Sequence, residues 1–221
     1  MAAPHFRMGA EEIWQAVDAE RLSLVALLQD LDAGAWETPS LCAGWRVRDV
    51  AAHLTLASRT DPGRVMLEYV RSFGRFDPMM DRLTRRAGQD PPEAILANLR
   101  STVGSRRLAP GTTVREPLLD LLVHGQDIAI PLGIARPVPV RAAHESAERV
   151  WTHPFPFHAR RHLATFRLVA TDTDWDRGTG SRIDGPVAAI LLLLTGRPAA
   201  LAHLGGDDMG QLAQRLLSRS R

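Results

Sequence analysis

Apolar residues recur at threes and fours over residues 10–31, where Ile13, Val17, Leu24, Leu27, Leu28 and Leu31 share one helical face. The stretch DAGAWETPSLCAGW that follows is punctuated by Gly34, Pro39 and Gly44 and reads as a loop. A second helix is expected from Val47 to about Ser58, with Val47, Val50, Ala51 and Leu54 on its apolar face. The helical pattern resumes after Pro62. It returns in PPEAILANLRSTVGSRRL, opened by prolines, and again from Val114 to Ile130, ended by Pro131 and Gly133. Residues 139–153 predict a shorter fifth helix.

The texture changes after Pro156. Phe166, Leu168 and Ala170 alternate with Arg167 and Val169 as in a short strand, GTGSRIDGP reads as a turn plus a strand, VAAILLLLTG as a buried helix, and DDMGQLAQRLLSR as an amphipathic one. The chain is therefore expected to be mainly α: a helical bundle over residues 1–155, then a small α+β domain over 156–221.

Composition narrows the function classes. The 221 residues are 45% hydrophobic and 24% charged, as in ordinary folded proteins, and the longest apolar run, residues 187–194, is too short for a membrane span. The N-terminal stretch lacks the layout of a secretory signal. The single cysteine, Cys42, excludes an internal disulfide framework and points to a reducing, cytoplasmic setting. All 27 basic residues are arginine, so lysine-dependent chemistry (Schiff bases, pyridoxal phosphate attachment, a P-loop) is excluded. The arginines are interspersed with acids, the formal net charge is only +2 and aromatics are sparse, which argues against nucleic acid as a partner.

One stretch carries a chemical signal. PLLDLLVHGQDIAIPLG, residues 117–133, sets Asp120 and His124 four residues apart in an otherwise apolar helix. Residues at i and i+4 share a helical face, and burying them unpaired is costly. His53, at the flank of the apolar face of the second helix, can join them. Two imidazoles and one carboxylate suit a divalent cation, whether zinc, iron, nickel or copper, while a purely local Asp–His pair is the plainer alternative.

The segment WETPSLCAGWRVRDVAAHL, residues 36–54, resembles the N-terminal signature of the mycothiol-dependent maleylpyruvate isomerase family, within the wider group of DinB-like metal-binding bundles. VHGQDIAIPLG, LVATDTDWDRGTG and GPVAAILLLLTGR extend the resemblance over most of the chain. It implies a DinB-like four-helix bundle holding a divalent metal, usually zinc, through His53, Asp120 and His124; the family often has Glu where this chain has the shorter Asp120. It implies mycothiol as thiol cosubstrate. The metal favours the thiolate, the nucleophilic form, which adds to a small electrophile. Addition, rotation and elimination give cis–trans isomerisation; addition or displacement alone gives S-transfer. Arg197 is the expected catalytic group from the C-terminal domain, binding a substrate carboxylate.

The remaining candidates have plainer readings. Gln126 and Asp127 can support a ligand from behind, and Asp127 is expected mainly to link neighbouring helices. Cys42 is expected to be a packed thiol, and Trp36 and Trp45 to hold their loop on the bundle. HPFPFHARRH is expected to be an interdomain linker, and GRVMLEYVRSFGRFDPMM offers a contact surface compatible with a homodimer. Two alternatives to a metal- and thiol-dependent enzyme stay open: a non-catalytic metal-binding or regulatory protein on the same bundle, and an iron oxygenase using the same three ligands.

Overall fold

The structure, a computed structural model, describes residues 7–59, 62–109 and 111–219. The first six residues of the N-terminal stretch, and residues 60–61 of the connection after the second expected helix, lie outside them. Two compact units divide the chain: Trp14–Arg136, and Met1–Ile13 together with Pro137–Arg221.

The Trp14–Arg136 unit is helical. It contains most of α1 (Ala10–Gln29), α2 (Ala33–Glu37), α3 (Val47–Arg59), α4 (Pro62–Arg71), α5 (Phe76–Ala87), α6 (Pro92–Thr102) and α7 (Arg115–Ala129). Helix α3 is the hub and packs against α5, α6 and α7. Val17, Leu24 and Leu28 of α1, Val47, Val50 and Ala51 of α3, Ile95 and Leu99 of α6, and Leu118, Leu122 and Ile128 of α7 are buried core residues. On α7 the apolar run behaves as its spacing predicts. Leu118, Leu119, Leu121, Leu122 and Val123 are buried, and Asp120 and His124 form a half-buried stripe one turn apart.

Three local differences from the expected elements have simple causes. The loop after α1 holds one short helix, α2, because the Asp32 carboxylate accepts the Ala35 N–H at 2.8 Å and caps it. The helical stretch after Pro62 is two helices, α4 and α5, broken where Phe73 and Gly74 take φ of 52° and 72°. Helix α6 stops at Thr102, before Gly104 at φ 77°. Met66, Leu67, Tyr69, Val70, Phe73 and Phe76, in the expected contact surface, are exposed.

The other unit contains α8 (Val140–Thr152), α9 (Ala159–Leu163), β1 (Phe166–Ala170), β2 (Asp176–Gly178), β3 (Ser181–Gly185), α10 (Val187–Leu194), a 3₁₀ turn (Pro198–His203), β4 (Gly205–Gly206) and α11 (Met209–Arg219). Its sheet has the order β2-β1-β3-β4, with β1 and β3 parallel and the other pairs antiparallel. The Asp172 carboxylate accepts the Val187 N–H at 2.8 Å and caps the all-apolar α10. Helix α8 groups with this unit and not with residues 14–136. The reason is packing. Ala142, Ala143, Ala147 and Val150 are buried, α8 lies on α10, and Trp151 meets Trp175 edge to face at 6.1 Å. Among the described residues no helix is long and apolar enough to cross a membrane.

The start of α3 depends on Asp49. Its carboxylate accepts the Arg46 N–H at 2.9 Å and the Arg46 guanidinium besides, as in a capping box. Gly88, at the end of α5, lies directly against it: a Cβ there would stand 2.1 Å from Asp49 Oδ1 and 3.1 Å from the Asp49 Cα. Gly88→Ala is therefore expected to lower stability by about 1–3 kcal/mol, the usual cost of overpacking. Denaturant unfolding reads this directly, and an unchanged midpoint would contradict it.

Candidate functional site

The site lies within the helical unit and is built from α3, α5, α7 and the loop before α3. The loop is held by its own hydrogen bonds. Pro39 and Arg46 form a β-bridge, the Ser40 hydroxyl donates to the Trp45 carbonyl at 2.8 Å, and the Cys42 N–H donates to the Ser40 hydroxyl at 3.1 Å. Gly44, at φ 76°, makes the turn. The Leu41 N–H donates to the Asp127 carbonyl at 3.1 Å, which ties the loop to α7.

His53 from α3 and His124 from α7 meet edge to face, with ring centroids 4.9 Å apart and an interplanar angle of 75°. Trp45 covers both, its centroid 5.2 Å from the His53 ring and 6.4 Å from the His124 ring. The Trp45 indole N–H donates to Asp81 of α5 at 2.8 Å, and the Arg85 guanidinium holds the same carboxylate. Burial pushes the Asp81 carboxyl up, but the indole N–H and Arg85 outweigh it and hold its pKa below the ordinary value. His53 Nδ1 pairs with the hydroxyl of buried Thr84 at 3.1 Å.

His124 Nδ1 lies 2.8 Å from Oδ2 of Asp127, one turn further along α7 and fully buried. The Cys42 thiol donates to the same Oδ2 at 3.1 Å, and its sulfur is 3.6 Å from His124 Nδ1. Among the described residues, the ligand-type atoms gathered within 4.8 Å of one another belong to Cys42, His124 and Asp127. Burial opposes the charged form of His124, but the Asp127 carboxylate and then Cys42 outweigh it, and the pKa is pushed up to about 10.

Of the expected ligands, then, His53 and His124 come together. Asp120 is half-buried on α7, one turn before His124. Arg197 follows α10 in the other unit, where its guanidinium donates to the Thr195 carbonyl at 2.7 Å. Cys42 is more than a packed loop thiol, because the fold carries it to His124 across 82 positions of sequence. The i,i+3 spacing of His124 and Asp127 is the one signal that points to the cluster from sequence. Nothing in the spacing points to Thr84 or Asp81.

The donor set suits a divalent cation. Both imidazoles have Nδ1 engaged, by Thr84 and by Asp127, so Nε2 is the nitrogen each would offer, the usual arrangement around metal-bound histidine.

Residues 17–65 match the family described as the mycothiol maleylpyruvate isomerase N-terminal domain. The fold is similar to the crystal structure of the mycothiol-dependent maleylpyruvate isomerase, at a TM-score of 0.64 and 14% identity over 94% of this chain and 96% of that one. A variant of that enzyme with one histidine changed to alanine matches equally well, at a TM-score of 0.64 and 13% identity. No curated protein matches the chain in sequence. The chain thus shares the fold of the maleylpyruvate isomerase crystal structures, mainly helical with a small sheet, and its residues 17–65 match the model of that family's N-terminal domain.

The raised His124 pKa sets a pH dependence. The folded value lies above the ordinary 6.5, so the charged ring stabilises the metal-free fold fully below about 6.5, and that contribution is lost as pH rises through about 10. NMR titration of metal-free protein is expected to find His124 still protonated well above neutrality, and Asp127→Asn to return its midpoint toward 6.5. A wild-type midpoint near 6.5 would contradict this.

Proposed function

We propose that this protein is a divalent-metal-dependent, mycothiol-using enzyme acting on a small electrophile, as a cis–trans isomerase or a thiol S-transferase. The observation that carries the reading is the meeting of His53 and His124 at 4.9 Å between ring centroids, beneath Trp45, in a bundle with the maleylpyruvate isomerase fold. The matched N-terminal segment supports mycothiol as the thiol.

In this reading His53 and His124 would hold the metal, each through Nε2, and Asp120 would add a carboxylate from the turn before His124. Zinc agrees with two imidazoles, a carboxylate and an open position. A divalent cation, when bound, supplies the positive charge that favours thiolate over thiol. The protein's own groups do the rest. Thr84 holds the His53 ring, and Trp45, braced by Asp81, packs beside both imidazoles. Arg197 stays in the proposal on the resemblance alone, as the group for a substrate carboxylate. The reaction is thiol addition to an electrophilic carbon, ending as isomerisation when the thiol leaves again and as S-transfer when it stays. A reducing, cytoplasmic setting agrees with this chemistry.

Elemental analysis of protein purified without a histidine tag is expected to find one divalent ion per chain, lost in His53→Ala and in His124→Ala. Turnover of maleylpyruvate or a related electrophile is expected to require both the ion and mycothiol. Metal-loaded protein that neither binds mycothiol nor turns over such substrates would overturn the enzymatic reading; chelation that only unfolds the chain would favour a non-catalytic metal-binding protein.

A further inference from the structure

We infer that Asp127 is a positioning residue that decides which nitrogen of His124 faces the metal, and that the Cys42 thiol braces Asp127 without ligating the metal itself. The inference rests on the reading that His53 and His124 hold a divalent cation, and it assigns two residues which that reading leaves without a role.

The first argument is hydrogen-bond inventory. An ionised carboxylate only accepts. Oδ2 of Asp127 lies 2.8 Å from His124 Nδ1, so Nδ1 carries the proton in this contact and, in the neutral ring, Nε2 carries the lone pair. The i,i+3 spacing on α7 builds this geometry into one turn of helix. Full burial of Asp127 leaves its charge dependent on donors from the protein. The Cys42 S–H, 3.1 Å from the same oxygen, is one such donor. The Leu41 N–H, bonded to the Asp127 carbonyl at 3.1 Å, fixes the loop that carries the thiol. Asp127 therefore receives bonds at both its carboxylate and its backbone from consecutive loop residues, Leu41 and Cys42.

The second argument decides between brace and ligand. Cys42, His124 and Asp127 are themselves a possible metal-binding trio. Oxygen and nitrogen ligands about 2.1 Å from one tetrahedral zinc stand about 3.4 Å apart, and a sulfur about 2.3 Å from the metal stands further still from its neighbours. The contact between His124 Nδ1 and Asp127 is 2.8 Å and that between Cys42 Sγ and Asp127 is 3.1 Å, both shorter than such spacings and both ordinary for hydrogen bonds. His53 points the same way. Its Nδ1 is likewise engaged, by Thr84 at 3.1 Å, so Nε2 is the nitrogen that each ring would offer to a shared ion, whereas the trio makes no use of His53.

The test uses the full-length protein loaded with cobalt(II) or zinc. Wild-type cobalt protein is expected to lack a thiolate-to-cobalt charge-transfer band, and Cys42→Ser to retain the wild-type cobalt spectrum and stoichiometry. Asp127→Asn keeps the side-chain shape and removes the charge; it is expected to weaken metal affinity about 10- to 100-fold in competition with a chelator. Nitrogen NMR of the zinc-loaded wild type is expected to show His124 protonated at Nδ1. Thermal unfolding of each variant separates lost affinity from lost fold. If Asp127→Asn fails to fold, the wild-type cobalt spectrum and the zinc-form NMR decide alone. A charge-transfer band that vanishes in Cys42→Ser, an Asp127→Asn variant that folds and binds metal like wild type, or a His124 ring bound through Nδ1 would each overturn the inference while leaving the metal reading intact. Wild-type protein that binds no divalent ion would remove the metal reading, and the inference with it.

Discussion

A buried carboxylate organises this protein. Asp127 has no exposure to water, and an unpaired charge in that position would cost several kcal/mol. Its compensation is drawn from two directions: from His124, one turn earlier on α7, and from Cys42 in the loop before α3. The loop is thereby fastened to α7 on one side, while its last residues cap α3 on the other through Arg46 and Asp49. Asp127 thus ties the loop to α7 through its carboxylate and its backbone carbonyl, and engages His124 Nδ1.

Helix α3 supplies the other half. Burial of Val47, Val50 and Ala51 against its neighbours fixes its rotation, and that rotation brings the half-buried His53 to His124. Thr84 and Trp45 then restrict the ring from α5 and from the loop. Bundles build metal and cofactor sites in this way, from side chains on facing helices whose orientation the apolar core dictates. Stability and chemistry share residues here: the apolar run that packs α7 also forces its two polar positions onto one stripe.

Much of this was legible in the sequence because it is local. The 3.6-residue period located the long helices, the leucine run of α7 announced its burial, and the i,i+4 spacing marked Asp120 and His124. The loop motif from Trp36 to Leu54 was specific enough to indicate the family whose N-terminal segment it matches. The long-range contacts were not legible. Cys42 reaches His124 across 82 positions, and Thr84 reaches His53 across 31, through tertiary packing that leaves no periodic trace. Nor does the period of α8 show that its small apolar residues find their partner in α10. Short elements such as α2 and the 3₁₀ turn depend on single caps and turns, which periodicity cannot register.

The central claim is that two imidazoles, each held from behind through Nδ1, share one divalent ion. A crystal structure of the metal-loaded protein, with the ion located by its anomalous scattering, tests it most directly. The account predicts the ion between Nε2 of His53 and Nε2 of His124. An ion bound at Cys42 Sγ and His124 Nδ1, with His53 uninvolved, would contradict it.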